Sequence, residues 1–208
     1  MCLGRTPSIT NKARWKLDSD SLKDVCLLVI DAQKKYLHNT TAKAALPHIS
    51  ALIQKMKEKQ GHVYWTQFSQ VDGYNTFPGE AHYDFKDGGE TKEQVILPGH
   101  HDIIPEIHPD AHGLDRERIF PTNRYSSFTN AELADRLRSH TSVIICGGWS
   151  DYCVLATSFD AIDNNIKVVV ASDAIFTNFL ERNVWAQKLI GFCCGRVETT
   201  RDILQVLV

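Results

Sequence analysis

The 208-residue sequence predicts a single α/β domain, built on a doubly wound, mostly parallel sheet with helices on both faces. Two observations predict this class. Continuous apolar runs, typical of strands buried on both faces of a sheet, recur along the chain, and segments with apolar residues at helical spacing alternate with them. The apolar content of 43% is enough for one sizeable core.

Charge and hydropathy exclude several classes of partner. The formal net charge of -2 gives no indication of a nucleic-acid or membrane partner. No apolar run reaches the roughly 18 residues that a transmembrane helix needs. The N-terminal residues are polar and lack the apolar centre of a secretory signal, so we expect a cytoplasmic protein.

The predicted strands are apolar runs that end at a glycine or a polar residue. We expect residues 1–22 to form an irregular arm and residues 23–208 to form the domain. Strands are predicted at 25–30, 62–66, 118–120, 142–146, 166–171 and 196–198, with a further strand-like fragment at 95–97.

The predicted helices lie between these strands, at 41–60, 130–139, 152–164, 181–192 and 200–207. Thr129 is the expected N-cap of the second helix. Pro47 indicates that the first helix begins near it or that the preceding turns are separate. Residues 69–94 show no period and are expected to form a long loop, of a length that is often functional.

The six cysteines contain no C-x-x-C pair. Cys26 and Cys146 lie inside apolar runs, where a cysteine is usually a small buried hydrophobe. We interpret the adjacent Cys193 and Cys194 as buried or half-buried thiols rather than as a redox pair. Free thiols suit a reducing compartment.

Cys153 follows a glycine-containing turn between a predicted strand and a predicted helix. Gly147 and Gly148 permit backbone conformations that a Cβ would forbid. Because a helix N-terminus favours an anion, this position predicts a thiol with a lowered pKa that acts as a nucleophile. Position alone leaves a second interpretation open, in which Cys153 is a small core residue.

Asp31 ends the first predicted strand. Ligands of a doubly wound sheet bind at the carboxyl ends of its strands, so Asp31 and Cys153 are expected in the same cleft. A carboxylate beside a thiol can accept its proton, which makes Asp31 the candidate base. A turn residue is the ordinary alternative for an aspartate after a strand.

Five motifs resemble, in order and spacing, those of the isochorismatase-like superfamily of cysteine hydrolases, and together they span nearly all of the chain after residue 22. They are LLVIDAQ at 27–33, RYSSF at 124–128, GGWSDYCV at 147–154, VVVASDA at 168–174 and GRVETT at 195–200.

The resemblance implies the family's three-layer fold and an Asp–Lys–Cys triad that acts on small amide-like substrates through a thioester. It assigns Asp31 as the base and Cys153 as the nucleophile. It also implies a cis peptide bond between Gly148 and Trp149, an oxyanion hole made by the backbone amides of Trp149 and Cys153, and a homo-oligomer, either a dimer or a tetramer.

The chain departs from the family pattern at Thr122, which stands where the family has its lysine. A hydroxyl cannot supply the positive charge that stabilises a thiolate. Three interpretations are open: Lys34, Lys35 or Arg124 substitutes for the lysine, the site acts without a cation, or the chain binds a ligand without turnover.

The predicted substrate pocket is rich in aromatic residues, which suits a flat or apolar small molecule. Trp149 is expected either to narrow this pocket or to stack on the substrate. The pocket residues are predicted to be Gln33, Tyr36, Phe68, Arg124 and Tyr125.

No metal or cofactor is predicted. The Asp-x-His metal segment of nicotinamidase-like members is missing from 66–73, which disfavours that zinc site and nicotinamide as substrate. His100, His101, His108 and His112 are expected to pack within loops or lie on the surface. No glycine fingerprint for a dinucleotide or a phosphate is present.

The sequence thus predicts a cysteine-dependent hydrolase of a small C–N substrate. A catalytically silent binding or scaffold protein on the same fold is the alternative that Thr122 motivates. Vinyl-ether hydrolysis of isochorismate is less favoured, because the members associated with that reaction keep the lysine and have glycine at the position of Cys153.

Overall fold

The structure, a computed structural model, describes residues 16–68 and 101–207. The predicted loop at 69–94, the strand-like fragment at 95–97 and His100 lie outside the described residues, as does most of the predicted arm. The boundary between the arm and the domain stays a prediction.

The predicted fold class is confirmed: six parallel strands form one sheet, in the order β3-β2-β1-β4-β5-β6. The chain starts in the middle of the sheet, builds outward to one edge, returns to the centre and then builds to the other edge. The strands are Val25–Ile30 (β1), His62–Phe68 (β2), Ile119–Thr122 (β3), Ser142–Gly148 (β4), Lys167–Phe176 (β5) and Gly195–Glu198 (β6).

Helices cover both faces of this sheet, as the alternation of apolar runs and amphipathic segments predicts. On one face, α1 and α5 pack on one cluster of buried residues, and α2, α3 and α4 contribute to a second cluster on the other face. The helices are Thr40–Glu58 (α1), Ala131–Arg138 (α2), Leu155–Asp163 (α3), Leu180–Cys193 (α4) and Thr200–Val206 (α5).

The first helix runs without a break through Pro47, contrary to both alternatives expected for it, a helix that begins near Pro47 or separate turns before the proline. The side chain of Asn39 caps its start by accepting a hydrogen bond from the backbone N–H of Thr41 at 2.8 Å. Ala42 and Ala45 are buried against the sheet, so tertiary packing holds the turns that precede the proline.

The expected N-cap of α2 is also corrected. Asn130 caps this helix, because its side-chain oxygen accepts from the backbone N–H of Leu133 at 3.1 Å. Thr129 ends a short 3₁₀ turn, Ser127–Thr129, that precedes the cap.

Strand β5 continues beyond the predicted end at 171, as far as Phe176. The register shifts between the pairs Ile145–Val170 and Gly147–Ile175, because extra residues of β5 lie unpaired there, and the two strands stay paired up to Gly148 and Phe176. Asp173 therefore lies within β5, where its carboxylate accepts hydrogen bonds from the backbone N–H and the hydroxyl of Thr200. None of the helices in residues 16–68 and 101–207 is long and apolar enough to span a bilayer.

Candidate active site

The base candidate Asp31 lies directly after β1 and is 2% exposed. Its backbone has a positive φ of 45°, a conformation that aspartate adopts more readily than most residues. The hydroxyl of Thr66 on β2 donates to Asp31 Oδ1 at 2.6 Å and accepts from the Asp31 N–H at 3.1 Å. The neighbouring strand thus fixes both the backbone and the carboxylate of Asp31.

The carboxyl end of β4 requires both of its glycines, Gly147 and Gly148. Gly147 has a φ of 101°, and a Cβ there would collide with the backbone of Ile30 at the end of β1. A Cβ on Gly148 would collide with the ring of Phe176. The peptide bond between Gly148 and Trp149 is cis, the geometry that the resemblance implies.

Cys153 lies in a π-helical turn, Ser150–Val154, rather than in the first turn of a regular α-helix. The carbonyl of Trp149 accepts from the N–H groups of both Tyr152 and Val154 at 3.1 Å. Single π-helical turns of this kind are frequent at functional sites. The side chain of Cys153 is 8% exposed, at the carboxyl end of the strand next to β1.

The structure brings Asp31 and Cys153 together, because β1 and β4 are adjacent parallel strands, and Ile30 at the end of β1 pairs with Gly147 near the end of β4. The carboxylate lies within hydrogen-bonding reach of the thiol. The backbone N–H of Trp149 is directed at the same sulfur. One carboxylate and one amide donor therefore converge on a buried thiol.

Burial raises the pKa of Asp31 from 3.8 to about 6. Four groups oppose this rise: the Thr66 hydroxyl, the Cys153 thiol, the positive charge of Lys35 and the Phe68 amide. The carboxylate is ionised at neutral pH, yet it is a much stronger base than an exposed aspartate. Such a pKa suits a general base that works near neutrality.

The predicted lowering of the Cys153 pKa is wrong: its pKa is raised well above the usual value. Burial is the largest cause and the negative charge of Asp31 is the next, whereas the Trp149 N–H and the charge of Lys35 act in the opposite direction. A thiol next to a carboxylate in an apolar enclosure keeps its proton at rest. The pair is therefore neutral thiol and carboxylate, and the proton transfers only as a substrate is attacked.

Comparison with known proteins shows the family to which the chain belongs. The isochorismatase domain family matches residues 25–202. The chain belongs to the isochorismatase family.

Two curated proteins align with most of the chain. A protein of Pseudomonas chlororaphis, described as a probable isochorismatase, is 31% identical over 203 residues, which cover 93% of this chain and 90% of that protein. The phenazine biosynthesis protein PhzD1 of Pseudomonas aeruginosa is 24% identical over 211 residues, which cover 94% and 90%.

Solved structures of related proteins share the fold. A cysteine hydrolase from Pseudomonas syringae pv. phaseolicola has a TM-score of 0.75 at 19% identity, over 94% of this chain and 96% of that one. The nicotinamidase PncA from Bacillus subtilis has a TM-score of 0.69 at 20% identity, over 84% and 99%.

Thr122 closes β3 as a buried side chain, paired in register with Phe68 on β2. It brings no charge to this isochorismatase-family site. Among the three candidate substitutes for the lysine, Lys34 is ion-paired with Asp102 at 3.0 Å and its side chain is 42% exposed. Arg124 donates to the backbone and side-chain oxygens of its neighbour Asn123.

Lys35, by contrast, is 5% exposed. Its Nζ lies 5.0 Å from the ring centroid of Tyr36 and 5.3 Å from that of Phe68. Its positive charge lowers the pKa of both Asp31 and Cys153 against the effect of burial. Of these three cations, Lys35 is the one whose charge is among the main influences on the pKa of both groups.

Gln33, a predicted pocket residue, is fully buried and joins two separate backbone positions. Its Nε2 donates to the carbonyl of Phe68 at 2.9 Å and to that of His101 at 2.6 Å. The Nδ1 atom of His101 lies 3.0 Å from the same Phe68 carbonyl. The amide nitrogen of Gln33 therefore fixes the protein rather than facing an open pocket.

The aromatic pocket residues form a continuous wall beside Cys153. Tyr125 stacks on Tyr152 with ring centroids 5.4 Å apart, and Tyr152 stacks on Trp149 at 6.2 Å. The other neighbour of Trp149 is Tyr36, in an edge-on contact at 5.6 Å. Whether Trp149 narrows a pocket or stacks on a substrate stays a prediction.

Tyr125 faces the thiol closely enough to respond to its charge. Burial raises the pKa of the Tyr125 hydroxyl, and the charges of Cys153 and Tyr152 add to the rise. Tyr152 was not singled out in the sequence because an aromatic residue beside a candidate nucleophile carries no motif of its own. The only signal for Thr66 in the sequence is its position at the end of a predicted strand.

The described histidines of the 100–112 region contact backbone atoms. His108 caps a short turn by accepting from the Asp110 N–H, and His112 Nε2 lies 3.2 Å from the Glu106 carbonyl. Within residues 16–68 and 101–207, no group of three or more His, Cys, Asp or Glu side chains is placed to hold a metal ion. The absence of a cofactor stays a prediction.

Proposed function

We propose that this chain is a cysteine-dependent hydrolase that cleaves the C–N bond of a small amide through a thioester intermediate. The observation that carries the proposal is the contact between the Asp31 carboxylate and the Cys153 thiol at the carboxyl ends of two adjacent strands. A thiol with a base in reach is the minimal apparatus for nucleophilic attack on a carbonyl.

In the acylation half of the reaction, Asp31 takes the proton of Cys153 as the sulfur attacks the carbonyl carbon. The backbone N–H groups of Trp149 and Cys153 donate hydrogen bonds to the carbonyl oxygen and stabilise the negative charge that develops on it. The tetrahedral intermediate then collapses, the C–N bond breaks, and the leaving nitrogen takes the proton back from Asp31.

In the deacylation half, Asp31 is ionised again and removes a proton from water, which attacks the thioester. Collapse of the second tetrahedral intermediate releases the acid and the thiolate. The thiolate recovers its proton from Asp31, so the site returns to neutral thiol and carboxylate.

Vinyl-ether hydrolysis is the second candidate, favoured by the relative described as a probable isochorismatase. That reaction proceeds by protonation of the substrate and needs no sulfur nucleophile. Because Cys153 lies against the base, the geometry supports attack on a carbonyl better than it supports acid catalysis alone. A silent binding protein is the third candidate, and Thr122 is the feature that favours it.

The test is turnover of a panel of small amides together with isochorismate by the native protein and by Cys153→Ala. We expect ammonia or amine release from at least one amide, complete loss of that release in Cys153→Ala, and an acyl adduct on Cys153 by peptide mass spectrometry. Cys146→Ala is the matched control, since this cysteine is equally buried but lies inside β4.

Each of the other outcomes is decisive. Amide turnover that survives Cys153→Ala contradicts the thioester mechanism. Isochorismate turnover that survives it assigns vinyl-ether hydrolysis, and tight ligand binding without turnover, unchanged in Cys153→Ala, assigns a silent binding protein.

The small-molecule partner, the homo-oligomer and the cytoplasmic location stay predictions. Helix α4 carries large apolar side chains that face solvent in the isolated chain, with Trp185 71% exposed. Contiguous apolar surface of this kind is typical of subunit contacts.

A further inference from the structure

Lys35 is a charged side chain in a buried position, where removal of its ammonium from water is unfavourable. Lysine is almost never buried unless its ammonium is compensated. Lys35 is nevertheless 5% exposed, while its neighbour Lys34 reaches solvent and pairs with Asp102. Two adjacent lysines thus occupy opposite environments, and the buried one requires a physical explanation.

Part of the compensation comes from aromatic rings. The Nζ atom of Lys35 lies 5.0 and 5.3 Å from the ring centroids of Tyr36 and Phe68, within the distance at which a ring face attracts a cation. Phe68 also contacts the base directly, because its backbone N–H donates to the Asp31 carboxylate. The ammonium therefore lies over the ring of the residue whose amide holds the base.

The main chain around Lys35 is anchored on both sides. The N–H of Lys34 donates to the Asp102 carbonyl at 2.8 Å, and Gln33 forms an isolated antiparallel bridge with Ile103. His38 Nδ1 lies 2.7 Å from the Lys35 carbonyl. The short 3₁₀ turn Lys34–Tyr36 is thus fixed in position, so the ammonium is preorganised beside the site.

We propose that Lys35 is the positioning cation of this site: its ammonium keeps Asp31 ionised and stabilises the thiolate that forms on Cys153. The charge comes from the connection that also carries the base, whereas β3 presents only the hydroxyl of Thr122. Thr122 and Lys35 are both neighbours of Phe68, Thr122 through the strand register and the Lys35 ammonium through the ring. A role for Lys35 in catalysis rests on the proposed function, whereas its effect on the charges of Asp31 and Cys153 does not depend on any substrate.

The test is the rate of Cys153 alkylation by iodoacetamide across a pH series, quantified on the Cys153 peptide by mass spectrometry. The variants are Lys35→Met and Lys35→Gln, which remove the charge, Lys35→Arg, which retains it, and Lys34→Met as the matched control on the adjacent residue. Circular dichroism shows which variants are folded.

Loss of a nearby opposite charge typically moves a pKa by about one unit or more, so we expect alkylation at neutral pH to fall about tenfold in Lys35→Met and Lys35→Gln. The alkylation profile moves to higher pH in these two variants. Lys34→Met matches the native protein, because its charge is exposed and screened by solvent. Lys35→Arg retains most of the native rate.

The proposal is overturned if a folded Lys35→Gln or Lys35→Met protein alkylates at the rate and pH of Lys34→Met. Since this readout needs no turnover, it separates the role of Lys35 from the amide-hydrolase proposal. With an amide that the protein turns over, Lys35→Met and Lys35→Gln should lower kcat and move the acid limb of the pH profile to higher pH, with little change in KM.

Discussion

Cys146 and Cys153 are two buried thiols on either side of the same turn, and they differ in what surrounds them. Cys146 lies inside β4, where its Sγ contacts the carbonyl of Leu28 at 3.7 Å, and burial alone raises its pKa. Cys153 is also buried, but Asp31, the Trp149 N–H and the charge of Lys35 act on its thiol. Burial by itself makes a cysteine inert, and a candidate nucleophile is distinguished by a base and a cation within the same enclosure.

The largest loss of activity should come from removal of Asp31, the carboxylate that distinguishes Cys153 from Cys146. Asp31→Asn keeps the oxygen that accepts from Thr66, and asparagine tolerates the positive φ of this position. We expect kcat/KM for a turned-over amide to fall by roughly 10²–10⁴, the usual contribution of a general base. Steady-state kinetics measure this fall, and activity within tenfold of native would exclude Asp31 as the base.

The same variant should be more stable than the native protein at neutral pH. The folded protein raises the pKa of Asp31 from 3.8 to about 6, so the stability that the protonated carboxyl confers is present below pH 3.8 and lost as pH rises through about 6. Asparagine avoids that loss, which amounts to about 3 kcal/mol at most. Urea unfolding at neutral and acid pH checks this: a stability difference that does not shrink in acid contradicts the assigned pKa.

The pH dependence of the native reaction gives the next largest effect. In the proposed mechanism the ionised form of Asp31 is the base, so kcat/KM should fall as pH drops through about 6, and then by about tenfold for each further pH unit. A pH–rate profile of the native protein measures the acid limb. A limb near the 3.8 of an ordinary aspartate would show that burial does not tune this carboxylate.

The smallest effect on activity should come from Cys146→Ala. We expect kcat/KM within about twofold of native and a loss of about 1 kcal/mol in the free energy of unfolding, since only a small buried group is removed. Kinetics and urea unfolding of the same preparation measure both. A large loss of activity in a folded Cys146→Ala protein would mean that the interior of β4 is coupled to the site more tightly than its lack of charged neighbours implies.

The sequence was most informative where a local pattern determines the structure. Runs such as 25–30 and 142–146 predict strands because only buried parallel strands are apolar on both faces. The junctions after these strands then place Asp31 and Cys153 at one edge of the sheet. Neither step requires knowledge of distant contacts.

Features that depend on tertiary contacts were not predictable in the same way. The helix dipole suggests a lowered pKa for Cys153, but enclosure beside a carboxylate reverses the direction. The sequence alone does not distinguish Lys34, Lys35 and Arg124 as candidate cations, because the burial of Lys35 depends on tertiary contacts. Similarly, α1 continues through Pro47 and β5 continues to Phe176, because packing and an irregular register outweigh the local signals.

The contact that Gln33 makes with the carbonyls of Phe68 and His101 has a consequence for chain entropy and for insertion tolerance. These two residues flank positions 69–100, and Gln33 holds them together whatever the length of chain between them. Each doubling of a connecting segment costs only about 0.6 kcal/mol when its ends are already fixed. Added length between these two positions should therefore cost little closure free energy while Gln33 still joins them.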